Sequence, residues 1–166
     1  MTALIADEFM GSADNPLDLV EDCSVENDWV YDRPNDEELT AAVPGTYCEF
    51  QLRFFWREEG RILQIANVFD ARIPEAKTKP IYETLARINE RLWLGHFELW
   101  SEEGVVMFRH STILDGELSR PHLELLVETA LSESERFYPV FQFVLWAGKT
   151  PEQAIEAALL DVAGEA

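Results

Sequence analysis

The stretch E-F-Q-L-R-F-F-W-R-E-E-G, residues 49–60, sets the pattern of the chain. Phe50, Leu52, Phe54 and Trp56 recur at every second position, with mostly polar residues between them. This period of two is typical of a β-strand that buries one face. The Glu-Glu-Gly that follows is a polar stop in which Gly60 can adopt a positive φ, and apolar residues alternate again beyond it. The stretch therefore predicts a β-hairpin.

A near copy of the end of this stretch, W-S-E-E-G, occupies residues 100–104. The glutamates Glu58, Glu59, Glu102 and Glu103 allow two interpretations: a repeated metal or catalytic carboxylate site, or two hairpin turns. A catalytic carboxylate pair needs a partly desolvated cleft in which the two pKa values separate. Each Glu-Glu-Gly instead lies where two predicted strands reverse. We therefore expect two exposed turns.

Helical signals fill most of the remaining chain. Pro80 opens an amphipathic stretch, Ser119 has the chemistry of an N-cap, and Thr150 begins a capping box with proline at the first helical position. The Ser-Glu-Ser run at 132–134 is expected to interrupt or bend the helix that follows Ser119. Gly148 fits a helix C-terminus.

The elements follow in the order helix, one or two strands, hairpin, helix, hairpin, and then two or three helices. This order predicts an α+β fold: an antiparallel sheet of about five strands with helices packed mainly on one face. Residues 1–16 are expected to form a flexible acidic leader. The remaining residues, 17–166, are too few for two comfortable domains and are expected to form one.

Composition excludes several classes of function. The 32 acidic and 13 basic residues give a formal net charge of −19, which repels nucleic acid and anionic membranes. No apolar run reaches the length of a membrane span, and the first ten residues lack the positively charged start of a secretory signal. The two cysteines have no metal-binding or redox spacing, so we expect reduced thiols in a cytoplasmic protein. No metal or cofactor is expected.

Candidate catalytic residues are few. His96 and Glu98 lie two apart on one face of a predicted strand, where a carboxylate could poise an imidazole, although an exposed polar pair is the simpler interpretation. Cys48 opens a strand and is expected at the edge of the core. We therefore predict no catalytic residue and no enzyme. The alternative kept open is a small enzyme or ligand-binding domain with a cleft near His96 and Glu98 or beside Cys48.

Aromatic residues indicate a surface that needs covering. Phe54, Phe55 and Trp56 put aromatic side chains on both faces of one strand, and Trp100 points away from Phe97. Either the late helices cover the second face or a partner chain does. Phe55, Trp56 and Trp100 are the candidate partner-binding residues for an unidentified protein, and a homodimer is expected to use the same surface.

Residues 89–99, N-E-R-L-W-L-G-H-F-E-L, resemble the bacterial YbjN family, described as putative sensory transduction regulators. A later strand, the Tyr138-Pro139 step and a stretch with Gly148, Pro151 and Glu152 are also similar to that family. The resemblance implies a binding or regulatory module without enzymatic activity. It also implies an architecture like that of type III secretion chaperones, which are small, acidic and often dimeric. No catalytic residue carries over.

Overall fold

The chain forms six strands and four α-helices in a computed structural model that describes residues 15–164. The helices are α1 (Pro16–Glu26), α2 (Thr78–Asn89), α3 (Arg120–Trp146) and α4 (Pro151–Gly164). The strands are β1 (Val30–Asp32), β2 (Glu38–Pro44), β3 (Glu49–Arg57), β4 (Ile62–Arg72), β5 (His96–Trp100) and β6 (Val105–Ile113). A short 3-10 turn, Glu75–Lys77, precedes α2.

The strands form one sheet in the order β1-β2-β3-β4-β6-β5, and every neighbouring pair is antiparallel. After β4 the chain passes through α2 and returns along the far edge as β5. The hairpin then places β6 between β5 and β4. The predicted α+β antiparallel sheet is confirmed. It has six strands rather than about five, and the additional one, β1, is three residues long.

The two Glu-Glu-Gly segments form turns, as predicted. One joins β3 to β4 and the other joins β5 to β6, and their four glutamates are exposed. Gly60 has φ +88° and Gly104 has φ +65°, values that favour glycine. The repeated Glu-Glu-Gly sequence therefore corresponds to two similar hairpin turns.

All four helices lie on the same side of the sheet, where α4 packs against α2 and α3. Each contributes buried side chains to a single core, together with the inward residues of the strands. The largest fully buried side chains of that core include seven phenylalanines: Phe50, Phe54, Phe69, Phe97, Phe108, Phe137 and Phe141. Packing of the helices on one face, as predicted from the order of elements, is confirmed.

The predicted break at residues 132–134 is wrong, because α3 runs through it as one helix of 27 residues. The reason lies in Ser134, which is buried against the sheet. Its Oγ donates to the carbonyl of Ala130 (2.6 Å) and accepts from Nδ2 of Asn67 on β4 (2.8 Å). A serine that bonds to the preceding helical turn fits inside a helix. It marks a polar contact between helix and sheet.

We expect Ser134→Ala to lower the free energy of unfolding by about 1–3 kcal/mol, because it leaves the buried Asn67 amide without its acceptor. Asn67→Leu in the same background should recover part of this loss, since an apolar side chain of similar shape removes the orphaned donor. Urea denaturation of the single and double variants measures both changes. A double variant no more stable than Ser134→Ala would contradict the argument.

The connection between α2 and β5 is fixed by two residues. Asn89 accepts from the backbone N–H of Phe97 at Oδ1 (2.7 Å) and donates to the carbonyl of Phe97 from Nδ2 (2.9 Å). These are backbone groups on the outer side of β5, which pairs only with β6 among the described strands. Gly95 has φ +66°, and a Cβ there would lie 2.3 Å from Cζ of Phe108. The side chain of Asn89 thus takes the place of a neighbouring strand.

The helix ends also follow the sequence. Ser119 accepts from the backbone N–H of His122 (3.3 Å), and Thr150 exchanges two hydrogen bonds with Gln153. Gly148, with φ +63°, follows the end of α3. Helix α1 begins at Pro16, the last residue assigned to the expected leader, and the first 14 residues of that leader lie outside the described residues.

Candidate functional site

The outward side chains of β3, β4, β5 and β6, on the side opposite the helices, form the surface we call the open face. The register places Arg53, Ala66, Arg109 and His96 in one row across it. A small apolar cluster lies there, separate from the main core, and consists of Ala66, Val68 and Met107 with Val105 against them. This cluster includes no residue from a described helix.

The apolar cluster floors a depression of about 380 Å³, which we call the Trp100 groove. Ala66, Val68 and Met107 form its floor, and Phe55 and Trp100 form aromatic walls. Trp100 remains 37% exposed, and Phe55 is half-buried. The groove therefore offers aromatic surface that no described helix or strand covers.

Charged side chains surround this groove. Arg109 donates from Nη2 to Oε2 of Glu98 (2.7 Å), and the same oxygen lies 3.0 Å from Nε2 of His96. The guanidinium of Arg53 lies 6.0 Å from the centre of the Trp100 ring, in a cation–π arrangement. Arg53, Arg109 and Glu98 line the groove, so its local charge is positive in a strongly acidic chain.

A second depression, of about 650 Å³, adjoins the first and is called here the Ile62 groove. Phe55 and Gln64 line both grooves, so this pair forms the ridge between them. The charged residues of the Ile62 groove are Glu37, Glu38 and Arg57. The two grooves together form one continuous depression across the open face, apolar at its centre and charged in the Ile62 groove.

The three residues predicted to bind a partner are divided by the sheet. Phe55 and Trp100 lie on the open face, whereas the side chain of Trp56 belongs to the helix-side core and is 6% exposed. The period of two requires this, because neighbours on a strand point to opposite faces. Trp56 reaches only the lining of the Ile62 groove. The candidate surface therefore centres on Phe55 and Trp100.

The structure brings His96 and Glu98 together but leaves Cys48 apart from them. His96 lies on the open face, with its side chain 47% exposed, and it contacts Glu98 as the spacing suggested. Cys48 precedes β3. The axes of β3 and β5 are three strand spacings apart in the sheet, about 14 Å. Cys48 packs against the helix-side core instead. Cys48 and His96 do not share a cleft.

Cys48 lies beside Tyr138, whose hydroxyl donates to Oδ1 of Asp70 (3.1 Å). Burial, and then the nearby charge of Asp70, raise the pKa of the Cys48 thiol to about 11. Burial also raises the pKa of Tyr138. A thiol with such a pKa is almost fully protonated at neutral pH, and the thiolate is the nucleophile.

We expect Cys48 to react slowly with iodoacetamide at pH 8. A rise in pKa from 9.0 to about 11 lowers the thiolate fraction roughly 100-fold. The rate should increase with pH until the pH reaches about 11. Alkylation of a Cys23→Ala variant, followed by mass spectrometry, isolates Cys48 for this measurement. Rapid, complete modification at pH 7 would instead identify Cys48 as an activated nucleophile.

Sequence reasoning missed Arg53, Arg109, Val68 and Met107 as parts of the site. Their alternation along the strands already placed each on a polar or second face. What the pattern did not give is the pairing of β4 with β6, because α2 and β5 intervene in the chain. That pairing is what joins the four residues into one groove.

Among the side chains that the structure describes, residues 15–160, no three of His, Cys, Asp or Glu are grouped so as to hold a metal ion. None of the helices in that range is both long enough and apolar enough to cross a membrane.

Comparison with known proteins gives the family. The sequence profile of the YbjN family, described as "Putative bacterial sensory transduction regulator", matches residues 16–143, well over half of the chain. The chain therefore belongs to the YbjN family, as the resemblance at residues 89–99 predicted. That description names a regulator and no enzyme class.

A solved structure agrees in fold. The crystal structure of YbjN from E. coli, called a putative transcription regulator, superposes with a TM-score of 0.52 at 10% identity. The match covers 80% of this chain and 90% of that one. Comparison with curated protein sequences finds no significant match. The likeness to type III secretion chaperones stays a prediction.

Proposed function

We propose that this chain is a non-enzymatic protein-binding module, regulatory or chaperone-like, that holds a segment of a partner protein on its open face. The main support is the uneven cover of the sheet. The helices bury one face, while the other carries two adjoining grooves around Phe55 and beside Trp100. Exposed aromatic surface rimmed by polar groups is typical of binding sites. The cytoplasmic location expected from the two cysteines is part of the same proposal.

The charge of the chain favours regulation through protein contacts over contact with DNA. A formal charge of −19 repels the phosphate backbone, and non-specific DNA affinity depends on releasing counterions with clustered Lys and Arg. The E. coli protein of similar fold is called a putative transcription regulator. If this chain has a related role, we propose that it acts on another protein.

A comparison of variants tests this proposal. Phe55→Ser with Trp100→Ala removes both aromatic walls of the Trp100 groove. Tyr82→Ala with Trp93→Ala removes two exposed aromatics elsewhere, on α2 and just beyond it. We expect wild type and the control to capture the same proteins quantitatively from a native bacterial lysate. The open-face variant should not capture them.

Retention of the same proteins by the open-face variant would reject the open face as the binding surface. Both double variants should first be checked for an unchanged far-UV spectrum and cooperative unfolding. The side chains concerned are exposed or half-buried, so the fold is expected to survive their removal.

A second candidate function is ligand binding or catalysis near His96. The observation in its favour is the chain of contacts from His96 through Glu98 to Arg109. Against it, His96 does not line the Trp100 groove. We expect His96→Gln to leave partner capture unchanged, whereas loss of a small-molecule thermal shift in this variant would favour the alternative.

The expected homodimer remains a proposal, since two copies could cover each other's open faces with two-fold symmetry. Two chains at −19 each repel, so pairing should strengthen as salt screens them over about 8–10 Å. Light scattering across a salt series distinguishes 19.0 kDa from twice that mass. One mass of 19.0 kDa at every salt concentration would contradict the dimer.

A further inference from the structure

The charges of the Trp100 groove are opposite to those of the chain as a whole. The chain has 32 acidic and 13 basic residues, whereas two arginines and one glutamate line this groove. Arg53 and Arg109 flank Ala66 in a single row across the sheet, with their Cα atoms about 10 Å apart. Ala66, which lies between them and lines the groove, is 3% exposed.

The two arginines differ in the partners that they already have within the chain. Arg109 holds Glu98 through one nitrogen at 2.7 Å. Among the described side chains, residues 15–160, no carboxylate lies within ion-pair distance of Arg53, whose neighbour is the ring of Trp100. A guanidinium beside an aromatic wall is partly shielded from water and presents several donors in one plane, a geometry suited to a carboxylate.

The apolar surface that this groove exposes comes mainly from its aromatic walls, Phe55 and Trp100. Val68 and Met107 are almost fully buried, and they lie one row from the arginines. Trp100 and Phe55 enclose the same space. A ligand that contacts both these aromatic side chains and the arginines must therefore carry an apolar side chain within a few ångströms of a carboxylate.

We propose that the Trp100 groove binds an extended partner peptide through one apolar side chain and a nearby Asp or Glu carboxylate that pairs with Arg53 and Arg109. This inference rests on the proposed protein-binding function and specifies the chemistry of the segment bound.

The charges of the adjoining Ile62 groove explain why the carboxylate of the peptide is assigned to the Trp100 groove. There Arg57 is outnumbered by Glu37 and Glu38, so the local charge is negative. An acidic residue is favoured in the Trp100 groove and disfavoured in the Ile62 groove. The peptide as a whole is not strongly acidic, because a chain of −19 would repel it at distances beyond the groove.

The test begins with selection of random linear peptides displayed on phage. The library is panned in parallel on wild type, on Arg53→Gln with Arg109→Gln, and on Arg87→Gln with Arg91→Gln. The last variant loses the same charge on the helical side of the molecule. We expect peptides enriched on wild type and on the control to carry an Asp or Glu within three or so residues of an aromatic or aliphatic residue. That acidic preference should disappear on the open-face arginine variant.

The most enriched peptide is then synthesised with its acidic residue and with the corresponding amide. Fluorescence anisotropy should give a Kd about tenfold or more weaker for the Arg53→Gln and Arg109→Gln protein, and a change of less than about twofold for the control. The amide peptide should lose a similar factor on wild type and little further on the arginine variant. That lack of additivity identifies a direct pairing.

Each contrary result has its own meaning. Enrichment of peptides without an acid preference, in a manner that Phe55→Ser with Trp100→Ala abolishes, would overturn this inference and keep the proposed function. Enrichment that no open-face variant affects, or no enrichment at all, would overturn both. Sedimentation showing a dimer that Trp100→Ala dissociates and that excludes peptide would assign the groove to a second copy of the chain.

Discussion

Gly95→Ala is expected to lower the free energy of unfolding by about 2–5 kcal/mol. Part of this cost comes from the backbone, because φ is +66° and a side chain disfavours that region by about 1–2 kcal/mol. The rest is steric: the new Cβ would lie 2.3 Å from Cζ and 2.8 Å from Cε2 of Phe108. Phe108 is itself fully buried, so it can move only by displacing its neighbours.

Gly148→Ala is the matched control for this prediction. Gly148 has φ +63°, and nothing lies within 4 Å of the position that its Cβ would take. This variant should show only the backbone cost, about 1–2 kcal/mol. Denaturation curves of both variants separate the two contributions. Equal losses would mean that the core relaxes around Phe108 without cost.

Phe69→Ala is the second substitution for which a large effect is expected, about 3–5 kcal/mol. The ring of Phe69 is within 6.0 Å, centre to centre, of the rings of Phe50, Phe97, Tyr138 and Phe141. Its removal leaves a cavity among side chains that come from the sheet and from α3. Because the whole stability of a domain is typically about 5–15 kcal/mol, this variant should be close to unfolding at room temperature.

Phe55→Ala removes the same side chain from the open face and serves as the comparison. Phe55 is half-buried and has no helix against it, so we expect a loss below about 1.5 kcal/mol. Thermal or urea unfolding of the two variants compares the two faces directly. A loss at Phe55 as large as that at Phe69 would show that the open face is covered in solution, as it would be in a stable dimer.

Most of the fold could be predicted from local patterns in the sequence. Alternation along β3 identified its buried face, Gly60 and Gly104 identified the turns, and Ser119 and Thr150 identified helix starts. These signals depend only on residues that are close in sequence, so they can be recognised without knowledge of the tertiary structure. The error at Ser134 arose because its hydrogen-bond partner, Asn67, is 67 residues away.

The candidate site was predicted only in part. Phe55 and Trp100 stood out as aromatics with no partner on their own strands. Arg53 and Arg109 did not, because an arginine on the polar side of a strand is ordinary until another strand brings a second one beside it. The strand order is β4-β6-β5, so β6 lies between two strands that precede it in the chain. This long-range pairing creates the groove.

The bond between Asn89 and the backbone of Phe97 also bears on how the molecule avoids polymerising. An outer strand with unpaired N–H and C=O groups is a template on which identical chains can add without limit, as in amyloid growth. Here the Asn89 amide occupies the rung at Phe97, and at the opposite border β1 offers only three residues. Neither border gives a fibril a long flat start. The borders of the sheet thus offer little free backbone for strand addition, although aromatic side chains are exposed on one of its faces.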